Sequence, residues 1–385
     1  MNTERGADHL TLTNPQTETT PPRARITPGT LWGEKGGVIM KGARVPGWPG
    51  HRAPIADHAV QKPVARPPLQ NPTRNIRGVA HVGILMAVLN GNRRLAEQLD
   101  SIAGQDHENW HLITSDDGSG DNSKHQLEKF AKKHPVTNLD GPRRGAAQNF
   151  MSLIRAAPKI LKDGAWIAFA DQDDVWLKDR LSRGLAALAK ENSNVPALYC
   201  SRTWVVDDAL QSPRLSHPHA RGPAFQNALV QNIASGNTIL LNPAAAKLIC
   251  AAAHETGDLA LHDWWVYQLV VGAGGRIIHD PTPTLLYRQH SQNTIGANLG
   301  ARAFLRRVGL LVRGRFRDWN DLHVAALMAS GHHLTDRNRA LLEDFNALRN
   351  SGFFGRLRRL PQVGLFCQTR RSTLALWLVA AVGRL

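Results

Sequence analysis

The stretch Phe169-Ala170-Asp171-Gln172-Asp173-Asp174-Val175-Trp176 puts three acids within four residues, directly after the apolar run Trp166 to Ala170. A short apolar run bounded by a polar turn reads as a buried strand, so these acids stand at its carboxyl end. Carboxylates crowded at a buried edge repel one another, and a bound cation offsets that cost. Mg2+ or Mn2+, held by one or two carboxylates, completes its shell with phosphate oxygens. The alternative is a solvated acidic turn in which Asp174 caps the next helix.

Outward from this edge the chain alternates short β-rich runs with helical periodicity, the pattern of βα units building a mostly parallel sheet. Val82 to Val88 reads as a buried strand, followed by a helix with Leu95, Leu99 and Ile102 on one face. A strand at Trp110 to Thr114 and a helix holding Leu127 and Phe130 come next. After the acidic stretch, Leu177, Leu181, Leu185 and Leu188 recur at helical spacing. Strands are expected near Leu198 and Thr203 to Val206, followed by an apolar run Thr238 to Leu241 and helices at Pro243 to Ala253 and His262 to Val271. Two closing strands are expected near Arg276 to His279 and Thr284 to Arg288. The fold class is therefore α/β, and ligands of open α/β sheets bind at strand carboxyl ends.

The flanks differ from this middle. Residues 1 to 75 are rich in Pro, Gly, Thr and Arg without apolar periodicity, which predicts a disordered segment; Met40 offers a second start within it. Residues 301 to 385 are basic and predicted largely helical, leaving 76 to 300 as the α/β domain, the catalytic domain if the chain is an enzyme. Of the formal net charge of +16, the first 75 residues carry +5 and residues 301 to 385 carry +10, so the middle is near neutral. That distribution argues against a nucleic-acid-binding core and puts any affinity for anionic surfaces in the flanks. The three cysteines, Cys200, Cys250 and Cys367, are widely spaced and show no Cys/His ligand spacing, so a reducing compartment and no zinc site are expected. No apolar leader opens the sequence, and the run Leu374 to Val382 is too short to span a bilayer. A cytoplasmic protein is expected, resting on a membrane without crossing it. For such a contact, Leu305, Val308, Val312, Phe316 and Trp319 form one apolar helical face, with Arg302, Arg306, Arg307, Arg313 and Arg317 largely off it. A helix packed on the domain with solvated arginines is the alternative.

Three further clusters follow strand ends or open helices. Ser115-Asp116-Asp117-Gly118-Ser119-Gly120-Asp121-Asn122-Ser123 follows the second strand; its carboxylates either accept from a ribose or base N–H, or form a turn capping a helix through Asp121. Leu261-His262-Asp263-Trp264-Trp265 opens a helix. Asp263 there is either a general base beside indoles that stack on a sugar, or an N-cap with Trp264 and Trp265 as core. Tyr287-Arg288-Gln289-His290 follows the last strand, where Arg288 can fork onto a phosphate and His290 can ligate a metal, or both are merely solvated.

Together and in this order, with Ile84-Leu85-Met86-Ala87-Val88-Leu89-Asn90-Gly91, Glu97 to Ile102 and Gln231 to Thr238, these stretches resemble family 2 glycosyltransferases, and most closely their rhamnosyltransferase-type subgroup. The resemblance covers residues 79 to about 297 and implies a GT-A fold, the fold of nucleotide-diphospho-sugar transferases. It implies that Asn90, Asp116, Asp117, Asp171 and Arg288 bind the nucleotide-sugar donor. It makes Asp171, Asp173 and His290 the Mg2+ or Mn2+ site and Asp263 the catalytic base, with Trp264 and Trp265 at the acceptor sugar. Leu89 stands where the family usually has an aromatic, and Asn92 where it has an acid. The Gln-x-x-Arg-Trp motif of processive members is absent, which favours transfer of a single sugar. The implied reaction is an inverting displacement from a nucleoside-diphosphate sugar onto a hydroxyl of a glycan or lipid-linked acceptor. A non-catalytic polyanion- or membrane-binding protein on the same fold is the rival reading, opposed by the intact acids. A nucleotidyltransferase would show a Gly-rich basic loop after the first strand, unlike Asn90-Gly91-Asn92-Arg93-Arg94.

Overall fold

The computed structural model describes residues 80–290 and 315–385. The expected disordered segment, 1 to 75, therefore lies outside the described residues, as do Leu305, Val308 and Val312 of the expected membrane-facing helix.

The domain begins β1 (Val82–Val88), α1 (Leu95–Ala103), β2 (Trp110–Asp116), α2 (Ser123–Ala131), β3 (Val136–Asp140), α3 (Ala146–Ile160) and β4 (Trp166–Ala170). It continues with β5 (Val175–Trp176), α4 (Arg180–Leu188), β6 (Ala197–Val206), β7 (Arg214–Leu215), α5 (Phe225–Ala228), a 3-10 turn (Gly236–Thr238), β8 (Leu240–Leu241), α6 (Pro243–Ala253), α7 (His262–Gly272) and β9 (Arg276–Arg288). Among the described residues nine strands form one sheet in the order β3-β2-β1-β4-β8-β6-β9-β5, with β7 paired to β6. β1 pairs in parallel with β2 and β4, β2 with β3, and β6 with β9, whereas β8 runs antiparallel to both β4 and β6. Most strands thus share one direction. Their carboxyl ends, at Val88, Asp116, Ala170, Val206 and Arg288, come to the same edge, and the segment that enters antiparallel β8 starts there too.

The central strands are buried on both faces, which is why they read as continuous apolar runs rather than alternating ones. Ile84, Met86 and Val88 pack with Leu95, Leu99, Ile102, Leu181 and Leu185 on one side. Leu85 and Phe169 pack with Phe150, Met151, Ile154 and the apolar faces of α6 and α7 on the other.

Several elements differ from expectation. The pairs of strands expected at Leu198 and Val206, and at Arg276 and Arg288, are each one continuous strand, and β9 stays paired to β6 through register shifts near Arg202 that accommodate Pro281 and Pro283. Leu177 precedes α4 and is only half-buried. β3 and α3 carry no expectation: β3 is a short, half-exposed edge strand, and Pro158 in the last turn of α3 reads locally as a helix breaker.

Beyond the gap, α8 (Arg315–Ala329), a 3-10 turn (Gly331–His333), α9 (Asp336–Asn350), α10 (Phe353–Val363) and α11 (Arg370–Ala381) form the helical extension. Its Val324, Leu327, Leu342, Phe345 and Leu348 join the same apolar core as α6 and α7. Phe316 and Trp319, expected on a membrane-facing stripe, pack against that core instead, Phe316 stacking on Trp264 at 5.8 Å. Among the described residues no helix is long and apolar enough to cross a membrane.

Candidate active site

Three loops at the carboxyl edge are tied into one bracket. Asn90, at φ 50°, donates its backbone N–H to Ser119 Oγ (2.9 Å) and accepts from Gly120 N–H on Oδ1 (2.9 Å). Gln172 spans to the loop after β1, accepting from Leu89 N–H (2.9 Å) and donating to Leu89 O (3.0 Å). A side chain at Gly91 would place Cβ 2.7 Å from Gln172 Oε1, so it would have to displace the Gln172 side chain from its place against the Leu89 backbone in the bracket. Gln172 was not singled out in the sequence, although its place between two acids of the strand-end motif was the available signal.

Asp116 and Asp117 serve this chain's own backbone. Asp116 Oδ1 accepts from Gly118 and Ser119 N–H at 3.0 and 2.7 Å, while Oδ2 is buried without a partner. Asp117 accepts from Arg143 N–H (2.6 Å) and Gly145 N–H (2.8 Å), fixing the turn into α3. Asp121 does not cap α2, whose N-cap is Asn122; it ties Ser123 to Asn92 N–H.

The acidic stretch after β4 divides its labour. Asp174 is fully buried and accepts from Asn237 Nδ2 (2.6 Å) and Arg288 N–H (3.2 Å), so it braces the site and caps no helix. Burial, with Asp171 and Asp173 nearby, holds its carboxyl well above the usual carboxylate range. Asp171 is pushed up to about 7, first by burial and then by the charges of Asp173 and Asp263, against the pull of Arg180. Asp173 Oδ2 lies 2.6 Å from His290 Nε2, so the expected pair is brought together. Asp171 does not join them in a group of three ligand atoms within 4.8 Å of one another.

Arg180, unremarked in the sequence, is the buried counter-charge. Its guanidinium donates to Asn237 O (2.6 Å), Phe169 O (3.1 Å) and Ile239 O (3.3 Å), and lies 3.6 Å from the centre of the Trp176 ring. Burial pushes its pKa down to about 9. An arginine in the first turn of a helix, where the dipole favours acids, was the only local clue.

Arg288 is a correction to the expected phosphate fork. It donates to Asp173 O (2.8 Å) and Asp208 O (2.6 Å) and pairs with Glu97 on α1, and its side chain is almost fully buried. It clamps the acidic loop between α1 and β9.

Asp263 lies in the first turn of α7, whose N-cap is Leu261. Its Oδ1 accepts from Trp264 N–H (2.7 Å) and its Oδ2 from Gly236 N–H (3.0 Å). A Cβ on Gly236 would stand 3.2 Å from Asp263 Cβ, a tight contact that would press on the carboxylate's position. Burial raises the Asp263 pKa, opposed by the hydrogen bonds from Trp264, Gly236 and Asn232. The neighbouring His262 stacks on Phe150 at 3.7 Å, and burial pushes its pKa down to about 3, so it stays neutral. The indoles are a second correction: Trp264 and Trp265 are buried in the core, Trp264 donating to Ala228 O (2.7 Å), and neither offers a face to a sugar. Their helix is buried on nearly every side, and the core claims both rings.

The mostly parallel sheet thus carries an Asp-x-Asp edge, a buried arginine and a carboxylate in the first turn of a late helix. Residues 83–246 match the family model Glycosyl transferase family 2. The chain is 33% identical over 239 residues to the dTDP-rhamnosyl transferase RfbG of Shigella flexneri, covering 59% of this chain and 78% of that protein. The chain therefore belongs to glycosyltransferase family 2 and is a glycosyltransferase of rhamnosyltransferase-like kind. It is also 27% identical over 111 residues to the glucosyltransferase WfgD of Escherichia coli, covering 29% of this chain and 42% of that protein. Among solved structures, TarS of S. aureus in complex with UDP-GlcNAc aligns at a TM-score of 0.44 with 14% identity, over 74% of this chain and 89% of that one. Asp263, Arg288 and His290 lie beyond the family-model match.

Proposed function

We propose that this chain moves a single rhamnose-like sugar from a nucleoside-diphosphate donor onto a hydroxyl of a glycan or lipid-linked acceptor, inverting the anomeric centre. The observation that carries this reading is that adjacent residues tie Asp263 to the acidic stretch: Gly236 N–H donates to Asp263 Oδ2 (3.0 Å) and Asn237 Nδ2 to Asp174 Oδ2 (2.6 Å). Four acids, Asp171, Asp173, Asp174 and Asp263, crowd there around the buried guanidinium of Arg180, and the crowding that favours protons on Asp171 and Asp174 is relieved equally by a divalent ion. Asp171 and Asp173, with His290 beside Asp173, would hold Mg2+ or Mn2+. Bound there, such an ion would offset the charge that accumulates on a leaving diphosphate.

The chain's own groups do the rest. The bracket of Asn90, Asp116, Asp117 and Gln172 fixes the wall against which the nucleotide rests. Asp263, held by Gly236 and Trp264, accepts the proton of the acceptor hydroxyl, and its raised pKa makes it a better base than an ordinary carboxylate. Release of nucleoside diphosphate from dTDP-rhamnose, and from UDP- and GDP-sugars, with and without Mn2+, tests the reading. Metal-dependent release of dTDP supports it. Donor-independent silence with the acceptor pool present favours the non-catalytic rival.

The same reading seats the enzyme on the inner face of the plasma membrane through α10 and α11. Phe353, Phe354 and Leu357 on α10 and Leu374, Leu378 and Val382 in and just after α11 are exposed, Phe354 at 83%. Arg358, Arg370, Arg371 and Arg384 are exposed nearby in sequence. Exposed apolar side chains with arginines close by in sequence suit anionic headgroups, where each basic residue adds roughly 1 kcal/mol. Salt-sensitive binding to phosphatidylglycerol vesicles but not to phosphatidylcholine vesicles, weakened in Phe354→Glu, is expected; equal binding to both removes the electrostatic part.

A further inference from the structure

Glu255 follows α6, and His332 and His333 end the 3-10 turn of the extension. Among the described residues, these three form the group whose ligand atoms all lie within 4.8 Å of one another. Both imidazole Nε2 atoms lie 3.4 Å from Glu255 Oε1. Two donors bound to one tetrahedral Zn2+ at about 2.0–2.1 Å stand about 3.3–3.4 Å apart by geometry, so the observed spacing is that of ligands sharing an ion.

An ordinary ion pair explains the cluster less well. The His333 Nε2 is buried and makes no hydrogen bond, although Glu255 is 3.4 Å away, so its N–H axis is not aimed at the carboxylate. The two imidazole rings lie 4.0 Å apart. If both were protonated they would repel, and one carboxylate compensates only one of them. As neutral nitrogen ligands they pose no such conflict, and two imidazoles with one carboxylate suit a first-row divalent ion.

Both ligand-bearing turns are also held rigid. Arg155 donates to Ala253 O (2.8 Å) and Thr256 O (3.0 Å), either side of Glu255. On the other side, Thr335 N–H donates to Gly272 O (3.0 Å), and Asn338 Nδ2 donates to Val271 O and Gly272 O. Preorganised ligands bind without the cost of ordering them.

We propose that Glu255, His332 and His333 bind one Zn2+-like divalent ion, with water in the remaining position, and that this ion staples the C-terminal extension to α6. The sequence reading of no zinc site rested on cysteine spacing; these ligands are nitrogen and oxygen from segments far apart in the chain. The site shares no residue with the Asp171-x-Asp173 edge.

The test uses full-length, tag-free protein stripped with EDTA and dialysed. Titration with Co2+ should give a tetrahedral absorption band saturating at one equivalent, displaced by Zn2+ and unaffected by excess Mg2+. Zn2+ at about 100-fold its Kd should raise Tm by about 5 °C. Glu255→Gln and His332→Asn should each lose the band and the Tm rise, while Asp173→Asn keeps both. His332 has a 63% exposed side chain, so its replacement leaves the fold intact. Absence of a saturable band in the wild type overturns the proposal, as does a band that survives in both variants.

Discussion

The backbone N–H of Gly236 lies 3.0 Å from Asp263 Oδ2, joining the turn that enters β8 to the first turn of α7. Because Asp263 Oδ1 also accepts from Trp264 N–H, both oxygens face backbone donors. The carboxylate is therefore oriented chiefly by the main chain, with the Asn232 side chain as a further donor.

That relationship decides the outcome for Asp263→Asn. An amide keeps one acceptor but turns an N–H toward one of the two donors, so stability should fall by about 1 kcal/mol. Catalysis should fall far more, by about 10²- to 10⁴-fold in kcat, because the proton acceptor is gone. Donor affinity measured by calorimetry should stay near wild type. Activity within a few-fold of wild type would leave Asp263 as a tether for Gly236 alone.

Asp173→Ala removes the partner of His290 from a partly accessible position, so the fold should hold with a loss of no more than about 1–2 kcal/mol. Transfer should drop by at least about 10²-fold, since charge on the leaving group is no longer offset. The check is a metal titration of initial rate: full turnover by the variant in metal-limited buffer would remove Asp173 from the metal assignment.

Arg180 is a test of what the sequence hid. Arg180→Leu fits the apolar surroundings in size but leaves the carbonyls of Asn237, Phe169 and Ile239 without their donor and leaves Asp171 and Asp174 without their buried counter-charge. Leaving a buried acceptor without its donor costs about 1–3 kcal/mol, and the carbonyls share one guanidinium, so a loss of about 3 kcal/mol is expected. Urea denaturation should show a loss of that size, and a change under about 1 kcal/mol would contradict the bracing role.

The legible parts were those written in local pattern. Val82 to Val88, Pro243 to Ala253 and the helix opening at His262 were each readable from an apolar run or a helix cap, and the structure places them at those bounds. The strand-end acids were legible because charge at the end of an apolar run is costly without a purpose. What local pattern could not carry was allocation among partners. Arg288 looked available for phosphate, yet Glu97 and Asp208, far away in sequence, claim it. Trp264 and Trp265 looked like sugar platforms beside an acid, yet α7 is buried on nearly every side. β3 and α3 escaped because an edge strand needs little apolar character and because Pro158, harmful in mid-helix, is tolerated in a last turn.

The last prediction concerns pH in the metal-free protein. The folded-state pKa of Asp171 is raised to about 7, first by burial and then by Asp173 and Asp263. An acid whose folded pKa exceeds its unfolded value binds more protons when folded, so its stabilising contribution is complete below the unfolded pKa and is lost as pH rises through the folded one. Asp174, raised in the same direction, adds to the effect. Tm measured in EDTA should therefore fall between about pH 4 and pH 7 as these groups are forced to ionise. Asp171→Asn should flatten part of that slope and leave the part owed to Asp174. Saturating Mn2+ near pH 8 should recover the lost Tm in the wild type, because an ion bound to the ionised carboxylates replaces the proton, and should recover little in Asp171→Asn. A Tm that rises over that interval, or a slope untouched by Asp171→Asn, would show that the Asp171 carboxyl is ionised throughout.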